Sequence, residues 1–168
     1  MLAFGYNSYN YFVARTTTFS KECSMQIISG RSGAPSITAT GTFTGQVFQD
    51  PVLGGLDEVK INTVIFTPCS RTYWHHHENG QLLQVFRGKG YVCGRDGVPR
   101  VITEGDTVWI EPGERHWHGG TAETLLGHTA ITLGGTEWLE EVSEEEYAEA
   151  ARVNGLGDDA SASTPAGA

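Results

Sequence analysis

Residues 74–81 read Trp-His-His-His-Glu-Asn-Gly-Gln and hold three of the six histidines in the chain. On an extended backbone, successive side chains point to opposite sides. His75 and His77 therefore share a face, while His76 points away, toward a surface or interface role. Two imidazoles about 7 Å apart at Cα on one face can converge on a single ion. Asn79-Gly80 is a turn signal, and the reversal returns Gln81 beside the same two rings. A fourth ligand has to come from a distant strand. The candidates are His116 and His118, a second His-x-His pair that follows Pro112-Gly113. One such pair is weak evidence for a metal, but two beside turns in one small domain are much stronger. His128 lies in the apolar run Leu-Leu-Gly-His-Thr-Ala-Ile-Thr, where a histidine is as readily a satisfied core residue as a functional one.

The chemistry of such a site follows from its donors. Imidazole nitrogen and amide oxygen without a thiolate suit Mn, Fe, Ni, Co or Zn, and the residue types alone do not choose among them. Three neutral imidazoles and a neutral amide leave a divalent ion its full +2 charge, where a Glu at position 81 would leave about +1. Higher charge strengthens Lewis acidity and draws anions to open coordination positions. His118, close to the ion but one step too far along its strand to ligate, is a candidate general acid or base.

Short strands must position these residues. Residues 37–50 are Thr-rich and β-branched, residues 51–57 read as a turn-rich break, and residues 58–68 form a long strand. There Val59, Ile61, Thr63 and Ile65 alternate with Lys60, Asn62, Val64 and Phe66. A strand from Gln81 ends at Gly88, and two further strands flank an Asp96-Gly97 hairpin signal. Strands this short, with turns every eight to twelve residues, indicate a sandwich or small barrel. Trp74, Trp109 and Trp117 fall out of phase with the ligands and read as packing between sheets or subunits. Arg71 and Arg87 are expected to face solvent. Ser143 and Glu146 have capping-box spacing ahead of good helix formers, and Gly155 is a plausible stop. Residues 1–36 read as an irregular or disordered extension, residues 37–155 as one domain, and residues 156–168 as a disordered tail.

Composition narrows the classes. The chain has 168 residues and a net charge of −9, without a basic stripe for nucleic acid. Seven of its 20 acids lie between Glu137 and Glu149 and read as a solvated helix face. No apolar run approaches the ~18 residues of a membrane span, and residues 1–24 make a poor secretory signal. Three cysteines, Cys23, Cys69 and Cys93, form no CxxC pair. This disfavours a disulfide framework or a structural zinc site and points to a reducing cytoplasm.

Residues 66–132 resemble the cupin superfamily, which implies an all-β double-stranded β-helix, here with a short C-terminal α-helix. His75, His77, Gln81 and Gly88 fit the first cupin motif, with Gln in place of Glu. Gly105, Gly113 and His116 fit the second. Cys69 replaces a motif Gly, Glu111 a motif Pro and Gly120 a motif Asn. A narrower resemblance, through residues 74–81, 105–119 and His128, is to small bacterial cupins that include manganese-dependent hydroxynitrile lyases. That resemblance implies His75, His77, Gln81 and His116 as metal ligands. It also implies His118 and His128 as active-site residues, manganese as the favoured ion with iron next, a small-molecule substrate, and assembly into a homodimer or homotetramer. In such a lyase His118 would shuttle the hydroxyl proton of a cyanohydrin, and His128 would stabilise or protonate cyanide. An iron-dependent dioxygenase or related oxidoreductase and a non-catalytic binding cupin are the competing functions.

Overall fold

The strand Gln81–Cys93 organises the fold, because its two halves pair with different strands. A computed structural model describes residues 35–56 and 58–155, with residues 25, 27 and 28. The elements in chain order are β1 (Ile37–Ala39), β2 (Phe43–Thr44), β3 (Val47–Leu56), β4 (Val59–Phe66), β5 (Arg71–Thr72), β6 (His75–His77), β7 (Gln81–Cys93), β8 (Pro99–Thr103), β9 (Thr107–Ile110), β10 (Trp117–Gly120), β11 (Leu126–Leu133), β12 (Thr136–Trp138) and α1 (Glu144–Val153). The expectations for residues 1–24, for most of residues 25–34 and for residues 156–168 fall outside the described residues.

The first half of β7 pairs with β9 and β11, and the second half pairs with β8 and β10. The strand turns between them at Gly88, whose φ of +77° is open to glycine at little cost. A side chain there would also meet the Leu125 carbonyl oxygen at 1.9 Å. The expected strand end at Gly88 is therefore a bend within one continuous strand. Residues 51–56, read as a break, likewise continue β3, with register shifts at Pro51/Leu53 and Gly54/Leu56. Those bulges absorb the Pro and Gly residues that suggested a turn.

The resulting sheet runs β1-β3-β4-β11-β7-β10-β5-β2 and curls into a nearly closed barrel, with β6 and β12 as a separate two-stranded piece. Val64, Phe66, Leu83, Val85 and Leu126 fill the deep end of its interior. A second apolar cluster, which includes Trp74, Trp117, Val142 and Tyr147, lies between the barrel and the helix. Trp109 departs from the packing expectation, since it is half exposed on β9.

The helix starts as its sequence specifies, with reciprocal Ser143 and Glu146 bonds. Arg71, expected in solvent, is only 2% exposed. Its guanidinium donates to the Val142 carbonyl from Nε at 3.2 Å and from Nη2 at 3.0 Å, pairs with Glu144 at 2.8 Å, and lies over the Tyr147 ring. It docks the helix N-terminus onto the barrel. Arg71→Ala leaves the Val142 carbonyl without its partners and should cost about 1–3 kcal/mol. Arg87→Ala, at an exposed site, should stay within about 0.5 kcal/mol. Urea midpoints of the two variants check this contrast.

Candidate metal centre and its pocket

His75 and His77 are buried on one face of β6, while His76 faces outward and pairs with Glu137 at 3.3 Å. The chain reversal after β6 brings Gln81 to the start of β7. His116 arrives from the other side of the chain by a backbone bridge. His75 and His116 exchange both N–H···O bonds, each at 2.9 Å. Residues paired this way point their side chains to the same side, and the two rings lie 4.1 Å apart between centroids. The His77 ring is 5.1 Å from His75 and 5.4 Å from His116.

Each ring is held through its Nδ1. The Nδ1–H of His75 donates to the Tyr73 carbonyl at 2.9 Å, and that of His116 donates to the Glu114 carbonyl at 2.8 Å. A carbonyl can only accept, so both protons sit on Nδ1 and both Nε2 lone pairs are free. His77 Nδ1 bonds Thr136 Oγ1 at 3.0 Å, and its Nε2 is buried without a partner. The Gln81 amide nitrogen donates to Thr132 Oγ1 at 2.9 Å, which leaves its Oε1 on the histidine side, 3.3 Å from His116 Nε2. Thr132 and Thr136 were not foreseen as site residues. Their signal is parity: Thr132 pairs with Gln81 across β11 and β7, and Thr136 with His77 across β12 and β6.

His118 is nearer than expected. Candidate ligand atoms of His75, His116 and His118 all lie within 4.8 Å of one another. Reach along the strand therefore does not exclude His118 as a ligand, and the earlier distance criterion is corrected. Partners distinguish it instead. Its Nδ1 lies 3.3 Å from His128 Nε2, and its Nε2 is buried and unpartnered. His128 is fully buried, opposite Val64 on β4 and Val85 on β7. The two rings form a dyad behind the His75/His77/His116 group.

Burial is the first cause of the low proton affinity throughout this cluster. It holds His77 and His116 at about 4 and His128 at about 3. His75 and His118 also lie well below the usual value, with neighbouring imidazoles adding to the burial effect. For His77 the His116 ring comes next after burial, and Lys60 makes a smaller contribution. Neutral imidazoles with free Nε2 lone pairs, an inward amide oxygen and orphaned buried nitrogens fit a divalent cation. His75, His77 and Gln81 line, with His118 and His128, an open cavity of about 100 Å³. Phe43 and Trp138 form an aromatic side, with the Trp138 ring 4.6 Å from His75 and 5.5 Å from Phe43.

Cys69 keeps the backbone conformation of the motif residue it replaces. Cys69 adopts φ +66°, the left-handed conformation that favours the motif Gly. Cys93 is buried at the end of β7 with its thiol pushed up to about 11, which argues against nucleophilic use.

A curled antiparallel barrel with a histidine-rich centre inside it defines a cupin, and a cupin-domain family model matches residues 62–126. The chain belongs to the cupin family. It is 40% identical over 111 residues to an (R)-mandelonitrile lyase from Granulicella tundricola, across 62% of this chain and 85% of that enzyme. A cupin-like protein from Thermotoga maritima superposes with a TM-score of 0.65 at 35% identity, covering 75% of this chain and 97% of that one. A polyketide cyclase from Streptomyces resistomycificus shares the fold at 16% identity and a TM-score of 0.60, over 73% of this chain and 91% of its own. No helix among the described residues is long and apolar enough to cross a membrane.

Two outcomes follow for metal binding and stability. Thr132→Val releases the Gln81 amide and should weaken divalent-metal affinity about 10–100-fold, measured by competition with a fluorescent chelator. The metal-free protein should lose stability as pH falls. An unfolded histidine takes a proton near 6.5, whereas folded His77 and His116 resist it down to about 4. Between those values the unfolded state binds more protons and is favoured. Urea midpoints in the presence of a chelator, followed from pH 7 downward, check the sign.

Proposed function

We propose that the chain is a metal-dependent lyase of the hydroxynitrile lyase type, which cleaves a cyanohydrin reversibly to an aldehyde and cyanide. The observation that carries this reading is the His118–His128 pair, 3.3 Å apart, set against a neutral His and Gln donor group. The 40% identical (R)-mandelonitrile lyase supports it.

In this reading His75, His77, Gln81 and His116 hold the ion, and His118 is left for proton transfer. A divalent ion, with manganese favoured over iron, zinc, nickel or cobalt, supplies the positive charge that stabilises anions in the site. His118 Nε2 takes the hydroxyl proton of the cyanohydrin. The oxygen electron pair closes to a carbonyl as the C–C bond breaks, and that bond's electrons leave with cyanide. His118 then returns the proton to cyanide, giving HCN. His118 Nδ1–H donates to His128 Nε2 throughout, which steadies the imidazolium formed. Since that contact commits His128 Nε2, His128 acts here as a positioning residue for His118 rather than as the group that protonates cyanide. Phe43 and Trp138 offer an apolar wall to the organic part of the substrate.

Metal-loaded protein should release benzaldehyde from mandelonitrile, followed by ultraviolet absorbance. No release from protein shown by elemental analysis to carry manganese would overturn the reading. His118→Ala should lower kcat by about 10²–10⁴-fold with metal content retained, and His77→Ala should lose the metal. If His118→Ala loses the metal and His77→Ala keeps it, the ligand assignment is reversed. Gln81→Glu should keep the metal and slow cleavage, because it lowers the charge of the centre by one.

A further inference from the structure

The β4 wall of the pocket carries a different set of groups. Lys60, Asn62, Val64 and Phe66 alternate on the inner face of β4. Across the ladder to β11, Lys60 stands opposite Thr132, Asn62 opposite Ala130, and Val64 opposite His128. Gln49 on β3 stands opposite Val64. Lys60, Asn62 and Gln49 all line the same cavity as the histidines. One cross-strand row therefore runs Gln81, Thr132, Lys60, with Lys60 exposed at the edge of the cavity.

Two features of this wall point to a ligand. Among the described residues, the side chains of Lys60, Asn62 and Gln49 make no hydrogen bond or ion pair with protein. Convergent polar groups in a cavity with their donors uncommitted are the usual means of orienting a bound molecule. Moreover, among the described residues no Asp or Glu lines this cavity, although acids outnumber bases 20 to 11 in the chain. An exposed ammonium at the edge of this cavity and a divalent ion held by the histidines would both attract an anionic ligand lying between them.

We infer that the ligand of this pocket is a small carbonyl compound, or its cyanohydrin, that also carries a carboxylate, with Lys60, Asn62 and Gln49 receiving the carboxylate. An ammonium with three donors and two amides matches the planar, acceptor-only carboxylate. This names the substrate class of the site proposed above and rests on that reading for the carbonyl end only.

Binding without turnover tests it. Metal-loaded protein is titrated by calorimetry with benzaldehyde, 3-formylbenzoate and 4-formylbenzoate in the absence of cyanide. The better formylbenzoate should bind about tenfold more tightly than benzaldehyde, and the advantage should shrink as salt rises. Lys60→Met should collapse the ratio toward one, Lys60→Arg should keep most of it, and Asn62→Ala should lower it about twofold. Metal content of each variant is measured alongside to confirm that the site is intact. No advantage in the natural protein, or an advantage unchanged in Lys60→Met, would overturn the inference, since the carboxylate would then sit elsewhere. A Lys60-dependent advantage in a protein that fails to cleave mandelonitrile counts against the lyase reading alone. Cleavage without any carboxylate advantage counts against Lys60 alone.

Discussion

Two backbone hydrogen bonds between His75 and His116, each 2.9 Å long, are the constraint on which the site depends. They join segments about forty residues apart in sequence and force two imidazoles onto the same side of the barrel wall. Once that register is set, the other ligand candidates follow by parity. His77 lies two residues along from His75, His118 two along from His116, and Gln81 at the far side of a tight reversal. A shift of one residue in this single bridge would turn the His116 ring away from the cavity.

Orientation is then completed by groups that would not touch an ion themselves. The carbonyls of Tyr73 and Glu114 hold the protons of His75 and His116 on Nδ1, and Thr132 and Thr136 hold Gln81 and His77. Burial keeps the imidazoles neutral, so their lone pairs need not compete with protons near neutral pH. The same burial would be costly if the nitrogens were left unpaired, and this cost ties the polar interior to a bound cation. Arg71 docks the capped helix on the barrel, where Trp74 and Trp117 pack between the two, and Phe66 of the core packs against His118 and His128.

Much of this was legible in short segments of sequence. Alternation identified β4 and the outward turn of His76, the capping box identified the helix start, and the His-x-His spacing identified both histidine pairs. The failures share one cause. Pro51 and Gly88 looked like strand ends, because local propensity does not register a bulge or bend that tertiary pairing sustains. Arg71 looked solvent-exposed, because its partners Val142 and Glu144 lie more than seventy residues away. The alternation of Lys60 and Asn62 was plain, but nothing local showed that this polar face of β4 looks into the barrel.

By itself the sequence determined side-chain parity, donor types and the neutral charge of the candidate ligand set, since these depend only on residue identity and the two-residue period of a strand. Tertiary structure decided which distant residues share the cavity. The register shift between Gly127 and His128 sets His128 opposite Val85 and beneath His118. The pairing of β12 with β6 supplies Thr136 and Trp138. That pairing and that shift depend on contacts between segments far apart in the chain, which settle only when the barrel closes and its backbone groups find their partners.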